Sequence, residues 1–240
     1  YHRWVNFLRR RFSPGVLAAL DTPATLPTAV LRRVNYFRYF PHQLMAVKRF
    51  RGPTSASQYL TPAVCYHTFA AARGSGLGRR PYRQFVVGSC ARAEGNRPQF
   101  PFRLQHFHMA ELVVAGTVTQ VARLLTALRQ QTAVMFAALG VPGTFEVSTD
   151  SFFIGGAGAR MIQRLKALKQ EFRVPVGEAS VALASLNNHE DFFTRRFAIT
   201  TARQQPAFSA CLAFGLERLT AYGLLRWGGK SALWPKVLQR

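Results

Sequence analysis

Residues 84–111 read QFVVGSCARAEGNRPQFPFRLQHFHMAE, and the rest of the chain can be interpreted around this stretch. Two apolar runs separated by a basic loop predict a strand, a loop, a second strand and then the start of a helix. The charged and aromatic residues of interest all lie on this hairpin or at its exit: Arg92, Glu94, Arg103, Phe107 and Glu111. A guanidinium on a phosphate, a carboxylate on an adenine amine and a ring on the base would together hold a nucleotide. The hairpin is therefore a candidate nucleotide site, and a basic hairpin with one stray acid is the alternative.

The composition indicates a globular chain with a large excess of positive charge. Its 240 residues are 48% hydrophobic and 18% charged, which is enough to bury one fair-sized core and too apolar for a disordered chain. Lysine and arginine number 32 against 10 aspartate and glutamate residues, which gives a formal net charge of +22. Such a surface favours polyanionic partners, namely nucleic acid, anionic lipid or an acidic protein.

The N-terminal part of the chain is rich in arginine and poor in acids. Between Tyr1 and Ala93 the single acidic residue is Asp21. The sequence starts without methionine, so we expect that an upstream segment was cleaved or is absent, and an Arg-rich, acid-poor beginning is typical of mitochondrial proteins. The prediction is a mitochondrial location, and an ordinary basic surface on a protein of the bacterial cytoplasm is the alternative.

Neither a membrane span nor a disulfide framework is expected. A spanning helix needs about 18 or more consecutive apolar residues, and the sequence contains no such run. The three cysteines, Cys65, Cys90 and Cys211, lie far apart in the sequence. An odd number at long spacing argues against disulfides and favours a reducing compartment or a metal site.

The remaining periodicities predict an α+β fold, in which one antiparallel β-sheet is flanked by helices. The expected helices are 109–139, 159–172 and 215–227, and the expected strands after the hairpin are 144–153, 179–187, 197–201 and 208–214. The first helix is expected to end at Gly140 and Pro142. We divide the chain into a basic N-terminal extension, 1–35, and one domain, 36–240.

A second candidate motif is Gly215-Leu216-Glu217-Arg218, where a predicted strand gives way to a helix. Backbone amides at a helix N-terminus favour anions, so an arginine there would reinforce a phosphate site. Leu-Glu-Arg is common on helices, so this motif is weak when taken alone.

The hairpin with Arg92-Ala93-Glu94, followed later by strand, GLER and helix, resembles motifs 2 and 3 of class II aminoacyl-tRNA synthetases. Further stretches are similar to the amino acid:[carrier protein] ligases, which are truncated relatives of the zinc-containing, methanogen-type seryl-tRNA synthetases. They are RLQHFHMAELVVAG (103–116), TDSFF (149–153), LKQEF (168–172), SLNNHEDFF (185–193) and SACLAFGLER (209–218). The resemblance covers roughly residues 36–227 and implies the catalytic-domain fold of a class II synthetase.

The resemblance also implies a role for each residue of the ATP site. Arg92 would hold the α-phosphate, Glu94 would bind the adenine amine and Phe107 would stack on adenine. Arg218 would bind the γ-phosphate or stack opposite Phe107. The remaining nucleotide-site and Mg²⁺ candidates are Arg103 on the returning strand, Glu217 and Glu178.

Zinc is the second cofactor that the resemblance implies. It would be held by Cys65, Glu111 and Cys211, with the amino group of the substrate as the fourth ligand. A three-ligand zinc with an open position is a reactive or substrate-binding site. The alternative is that each cysteine is a small buried core residue. His106, His108 and His189 are expected to support the site or to be structural.

The function implied is ATP-dependent activation of a small amino acid, such as glycine or alanine, as an aminoacyl-adenylate. The aminoacyl group would then pass to the phosphopantetheine thiol of an acidic carrier protein, which suits a basic docking face. Class II relatives dimerise through a motif that matches loosely around Phe40-Pro41, which leaves both a homodimer and a monomer open.

The competing hypothesis is a repurposed class II fold that binds rRNA, as a component or assembly factor of a mitochondrial ribosome. The chain departs from the ligase pattern at Ala110, where the family usually has arginine, and at Thr194-Arg195-Arg196, where glycine is usual. A basic, bulky loop at 194–196 is expected to narrow the substrate site. The net charge of +22 exceeds what a carrier protein partner requires.

Overall fold

Two β-sheets and the helices around them make up the described part of the chain. The computed structural model describes residues 1–13, 17–48, 58–93, 101–148 and 168–239. The first half contains α1 (His2–Phe12), β1 (Leu17–Thr22), β2 (Thr25–Pro27), α2 (Thr28–Arg33), α3 (Tyr36–Tyr39), β3 (Ala46–Val47), β4 (Gln58–Leu60), α4 (Cys65–Ala71), β5 (Tyr82–Ala91) and β6 (His106–Gly116). The second half contains α5 (Val118–Ala138), β7 (Thr144–Val147), β8 (Lys169–Val176), β9 (Ala179–Glu190), α6 (Phe192–Arg196), β10 (Phe208–Gly215), α7 (Leu216–Trp227) and α8 (Lys236–Gln239). None of the described helices is long and apolar enough to span a bilayer.

The larger sheet has seven strands in the order β1-β5-β6-β10-β9-β8-β7. Strand β1 pairs with β5 in parallel, and the other neighbouring pairs of this sheet are antiparallel. A smaller sheet has the order β2-β4-β3. This architecture confirms the predicted α+β class, with an antiparallel sheet flanked by helices.

One face of the large sheet is covered by helices α1, α5 and α7. Because side chains alternate along a strand, Phe85, Leu112 and Leu212 all point to this face and are buried in one apolar cluster. The helices contribute Leu8 and Leu128, among others, to the same cluster. This layer is the main core of the molecule.

The opposite face of the sheet is covered only in part. Val86, Val113 and Cys211 pack there in a second apolar cluster, together with Leu31 of α2 and Phe69 of α4. Strands β5 and β10 are both antiparallel to β6, so the C-terminal ends of both lie beside the N-terminal end of β6. A cleft lies on this face, and it extends to these strand ends.

The helix expected over 109–139 begins later than the sequence predicts. Residues 109–116 continue β6, and α5 starts at Val118. The run AELVVAG is buried on both faces of the sheet, so its apolar residues do not reveal the strand period. The end of the helix before Gly140 is confirmed.

Two other expected elements are wrong in part. Residues 197–201 form a turn with an isolated bridge at Thr200, and Ala198 has a φ of 53°. Lys169–Val176 is strand β8, so the helix expected over 159–172 does not include its last residues. Residues 159–167 of that expected helix and the TDSFF motif lie outside the described residues.

The strands expected near 144, 179–187 and 208–214 and the helix at 215–227 are confirmed. The division of the chain at residue 35 stays a prediction. Within the expected extension, α1 packs on the main core and β1 pairs with β5 in the large sheet.

Candidate active site

The cleft on the open face of the sheet has a volume of about 450 Å³. Its lining includes the described nucleotide-site candidates, Arg92, Arg103, Phe107, Glu217 and Arg218. It also includes the three metal-site candidates, Cys65, Glu111 and Cys211. Glu94 lies outside the described residues. The structure therefore brings the two predicted constellations into one continuous cleft.

Arg92 and Phe107 form a pair at the end of β5. The Arg92 guanidinium carbon lies 5.3 Å from the centre of the Phe107 ring, and Arg92 Nε donates to the carbonyl oxygen of Pro62 at 2.7 Å. The backbone amide of Arg92 donates to the Gln105 carbonyl, which ties the end of β5 to the start of the returning strand. A cation over an aromatic face is a stable arrangement that fixes both groups.

Arg218 lies on the other side of β6, in the first turn of α7. Its Nε donates to the Phe102 carbonyl at 2.7 Å, and its Nη1 donates to the Ala182 carbonyl at 3.3 Å. Because the C-terminal ends of β5 and β10 lie on either side of the start of β6, Arg92 and Arg218 flank that start, where Phe107 lies. Two arginines and an aromatic ring thus lie together at one end of the central strands, as the binding of a triphosphate and a base requires.

Glu217 is held by the backbone amide and the ring of His108. His108 N donates to Glu217 Oε2 at 2.8 Å, and His108 Nδ1 lies 2.7 Å from Oε1. The His108 ring also lies edge-on to Tyr1, with ring centres 4.8 Å apart. The other Mg²⁺ candidate, Glu178, lies in the turn between β8 and β9 and is not part of the cleft lining.

Cys65, Glu111 and Cys211 come together from three elements. Glu111 on β6 lies opposite Ala213 of β10, so Cys211 stands two residues away on the same face, and Cys65 is the first residue of α4. All three side chains are buried and share hydrogen bonds with one another. Oxygen Oε2 of Glu111 has no hydrogen-bond partner among the described residues.

The electrostatics of this cluster favour protonated donors. The hydrogen bond with Cys211, then burial and the Glu111 charge, raise the pKa of the Cys65 thiol well above its ordinary value. The bond with Cys65 lowers the pKa of Cys211, but burial and Glu111 outweigh it, so that pKa is raised. Burial raises the pKa of Glu111 despite hydrogen bonds from both thiols. A metal ion at this cluster would therefore have to displace the protons of both thiols.

The donor types suit Zn²⁺, since two thiols and an orphaned carboxylate oxygen meet in one buried place. Among the described residues, no group of three or more His, Cys, Asp or Glu side chains is arranged to hold a metal. The chemistry of the set fits zinc, and the structure does not show the metal.

His189 and Asn187 on β9 support Cys211. Asn187 Nδ2 donates to the Cys211 sulfur at 3.4 Å, and His189 Nε2 lies 3.6 Å from it. Burial lowers the pKa of His189 to about 3, so the imidazole is neutral. The supporting position of His189 agrees with the sequence interpretation, whereas Asn187 has no role in it. The alternation Ser185, Asn187, His189 on one strand face was the available signal.

Lys169 and Glu171 on β8 are lining residues that the sequence did not single out. Glu171 is buried and is bound by Lys169 Nζ and Arg173 Nη1, both at 2.7 Å. Their segment was expected to be helical, so the strand alternation that brings both to the cleft could not be used. Residues 194–196 are the end of helix α6 rather than a loop, and they do not line the cleft, so the expected narrowing of the substrate site is not seen.

Comparison with known proteins places these features in a family. No family model matches the chain. Amino acid–[acyl-carrier-protein] ligase 2 of Bradyrhizobium diazoefficiens is 30% identical over an alignment 240 positions long, and the alignment covers 89% of this chain and 71% of that protein.

Solved structures show the same fold at lower identity. Seryl-tRNA synthetase of M. kandleri, in complex with A. aeolicus tRNASec, matches 99% of this chain with a TM-score of 0.85 and 19% identity. Seryl-tRNA synthetase of Pyrococcus horikoshii, complexed with ATP, matches 99% with a TM-score of 0.71 and 16% identity. The chain spans about half the length of these synthetase chains, 53% in each case. The fold is that of a class II synthetase catalytic domain, and the extent of identity to the ligase shows that this chain belongs to the amino acid–[acyl-carrier-protein] ligases.

Proposed function

We propose that the chain activates a small amino acid with ATP as an aminoacyl-adenylate and passes it to the phosphopantetheine thiol of an acidic carrier protein. The observation that carries the proposal is a single cleft that holds both groups of residues. Arg92, Phe107 and Arg218 lie at the ends of the central strands, and the buried Cys65–Glu111–Cys211 cluster lies deeper in the same cleft. A relative named as a ligase of amino acids to acyl carrier protein supports the transfer step. A structural neighbour that was solved with ATP supports nucleotide use at this fold.

In the first step, the substrate carboxylate attacks the α-phosphorus of ATP and pyrophosphate leaves. Arg92 neutralises the charge that develops on the α-phosphate, while Phe107 stacks on adenine. Arg218 binds the γ-phosphate, assisted by the amides at the start of α7. No covalent enzyme intermediate is needed, because alignment and charge stabilisation lower the barrier.

Mg²⁺ would be held by Glu217 and the phosphates of ATP. Each carboxylate oxygen accepts more than one bond, so Glu217 can retain His108 and still face a cation. When bound, the ion would neutralise charge on the phosphates. His108 fixes the orientation of the carboxylate through two contacts.

Cys65, Glu111 and Cys211 would hold Zn²⁺, whose open position would bind the amino group of the substrate. Asn187 and neutral His189 orient Cys211. A ring wall closes this end of the cleft, since the His189 and Phe193 rings are 4.8 Å apart and Phe193 contacts Tyr66. The choice of a small amino acid, glycine or alanine, is part of the proposal, and the exchange assay below tests it.

Amino-acid-dependent exchange of pyrophosphate with ATP tests the activation step. The wild-type chain is expected to catalyse exchange with glycine or alanine, and Arg92→Ala or Arg218→Ala to reduce it by about 100-fold or more. Arg123→Ala, an exposed arginine on α5, is the matched control and should leave the rate unchanged. Absence of exchange with every small amino acid would contradict the proposal.

Metal analysis of the purified native chain tests the zinc site. One zinc per chain is expected, and it should be lost in Cys65→Ser and in Cys211→Ser. Cys90→Ser is the control, because Cys90 is equally buried on β5 and lies outside the cleft lining. A zinc-free native protein, or equal loss of zinc in the control, would remove the metal from the proposal.

A further inference from the structure

A continuous array of arginines and aromatic rings lies on α2, α3 and α6. Arg38 lies 5.9 Å from the Tyr39 ring, Tyr39 packs on Phe192 with centres 6.4 Å apart, and Arg196 covers Phe192 at 3.7 Å. Arg33 completes the array by donating to the Arg196 carbonyl at 2.8 Å. We call Arg33, Arg38, Tyr39, Phe192 and Arg196 the arginine–aromatic ladder.

The ladder adjoins the cleft at its amino acid end. Helix α6 follows β9 directly, and its neighbouring aromatics face opposite ways. Phe193 lines the cleft beside His189, whereas Phe192 lies under the Arg196 guanidinium. Tyr36 and Phe40, on either side of the Arg38–Tyr39 pair, also line the cleft. A partner seated on the ladder would therefore be next to the site where an aminoacyl group is formed.

The ladder presents positive charge that is held in place. Arg33 and Arg38 are exposed, and Arg195 beside them is exposed and paired with Asp191 at 2.5 Å. The rings and the Arg33 hydrogen bond limit the freedom of the guanidinium groups, so less entropy is lost when they bind carboxylates or phosphates.

We propose that the arginine–aromatic ladder is the docking surface for the acidic face of the carrier protein, an inference that rests on the proposed function. Carboxylates of the partner and the phosphodiester that attaches its pantetheine arm pair with Arg33, Arg38 and Arg196. The thiol then reaches the cleft past Phe193. The carrier protein is preferred to RNA as the occupant because a relative of this chain is named as a ligase of acyl carrier protein, and RNA binding is an outcome of the test.

Charge-reversal variants test the docking surface. The test protein is Arg33→Glu/Arg38→Glu, and the matched control is Arg123→Glu/Lys236→Glu, which changes the same charge at exposed sites on α5 and α8. Arg33→Lys/Arg38→Lys keeps the charge but not the planar groups. The probe is a fluorescently labelled holo acyl carrier protein, and a labelled RNA hairpin is run in parallel. Anisotropy gives each Kd at low and moderate salt.

The ladder reversal is expected to raise the Kd for the carrier protein about tenfold at low salt, and the control by less than about twofold. The lysine variant should stay within about threefold of wild type, and added salt should reduce all these differences. Equal weakening by the ladder and control variants would overturn the proposal. So would loss of RNA affinity with unchanged carrier affinity, or no carrier binding by the wild-type chain.

Exchange of pyrophosphate with ATP separates this proposal from the proposed function. The ladder variants should retain the wild-type exchange rate, because the reversed side chains do not line the cleft. Normal carrier binding without any exchange in the wild-type chain would remove the activation step and leave the docking surface intact. Normal exchange with no effect of the ladder reversal on carrier affinity would overturn the docking surface and leave the activation step intact.

Discussion

Glu171 is a buried carboxylate whose charge is maintained by two cations. Burial alone would raise the pKa of Glu171, but Lys169 and Arg173 outweigh it and the pKa is lowered. A lowered pKa stabilises the fold above the ordinary carboxyl value, and this contribution is lost as the pH falls through the folded value. We predict that Glu171→Gln lowers the free energy of unfolding by about 2 kcal/mol at pH 7.

Urea unfolding at pH 7 and at about pH 3 measures this effect, and the difference from wild type should shrink at the lower pH. The control is Glu146→Gln, opposite Glu171 in the β7–β8 register, whose side chain is 57% exposed and lies 4.0 Å from Arg173. It should change stability by less than about 0.5 kcal/mol. A difference for Glu171→Gln that persists or grows in acid would contradict the argument.

His108 acts on Glu217 through its ring and its backbone amide. His108→Ala removes the ring contact and keeps the amide, so Glu217 remains present but is less firmly oriented. We predict a rise of about three- to tenfold in the KM for ATP in pyrophosphate exchange. His106→Ala, on the same strand but bonded to Ser89, is the control and should leave this KM unchanged. Equal effects of both variants would indicate a general change in the strand.

Helix α5 begins with a capping box. Thr117 Oγ1 accepts from Gln120 N, and Gln120 Oε1 accepts from Thr117 N. We predict that Thr117→Ala lowers the free energy of unfolding by about 1 kcal/mol. Thr119→Ala, two positions later and exposed, is the control and should be neutral or slightly stabilising, since alanine favours helix. Denaturant unfolding of both variants compares them, and a smaller loss for Thr117→Ala than for the control would contradict the assignment.

The start of α5 shows which elements the sequence specifies. The Thr117-x-x-Gln120 signal was present, but the apolar residues of 109–116 suit helix and doubly buried strand equally well. The alternation of small and apolar residues in 179–187 predicts β9, and the short apolar run 208–214 predicts β10. Strand β8 was not, because only its pairing with β7 and β9 selects the extended form over the helix that its residues permit.

The candidate site follows the same division. Arg92, Phe107 and Arg218 belong to local motifs, so they could be identified before the topology was known. Lys169 and Glu171 reach the cleft only because β8 pairs with β9 in a particular register, which short stretches of sequence do not encode. The ladder likewise depends on contacts between α2, α3 and α6. Arg33 and Arg196, which are hydrogen-bonded in the fold, are 163 residues apart in the sequence.

At the scale of the whole molecule, one cleft and one basic surface account for the main features of the sequence. The ligase family is shown by similarity, and the carrier protein is the partner that this family name implies. The rRNA-binding alternative, the mitochondrial location and the homodimer stay predictions. The excess charge motivated the rRNA-binding alternative, and its effect on stability can be measured independently of any partner.

A net charge of +22 on a chain of 240 residues opposes folding by self-repulsion, which salt screens. We predict that raising NaCl from about 0.05 to about 0.5 M increases the Tm by roughly 2–5 °C. Each reversal in Arg123→Glu/Lys236→Glu removes two charges, so +22 becomes +18 and the salt-induced rise in Tm should be smaller. Buried pairs such as Lys169–Glu171 are screened less than exposed charges and should contribute little to the change. A Tm that is flat or falls with salt in the wild-type chain would show that local ion pairs, rather than the net charge, dominate its electrostatic stability.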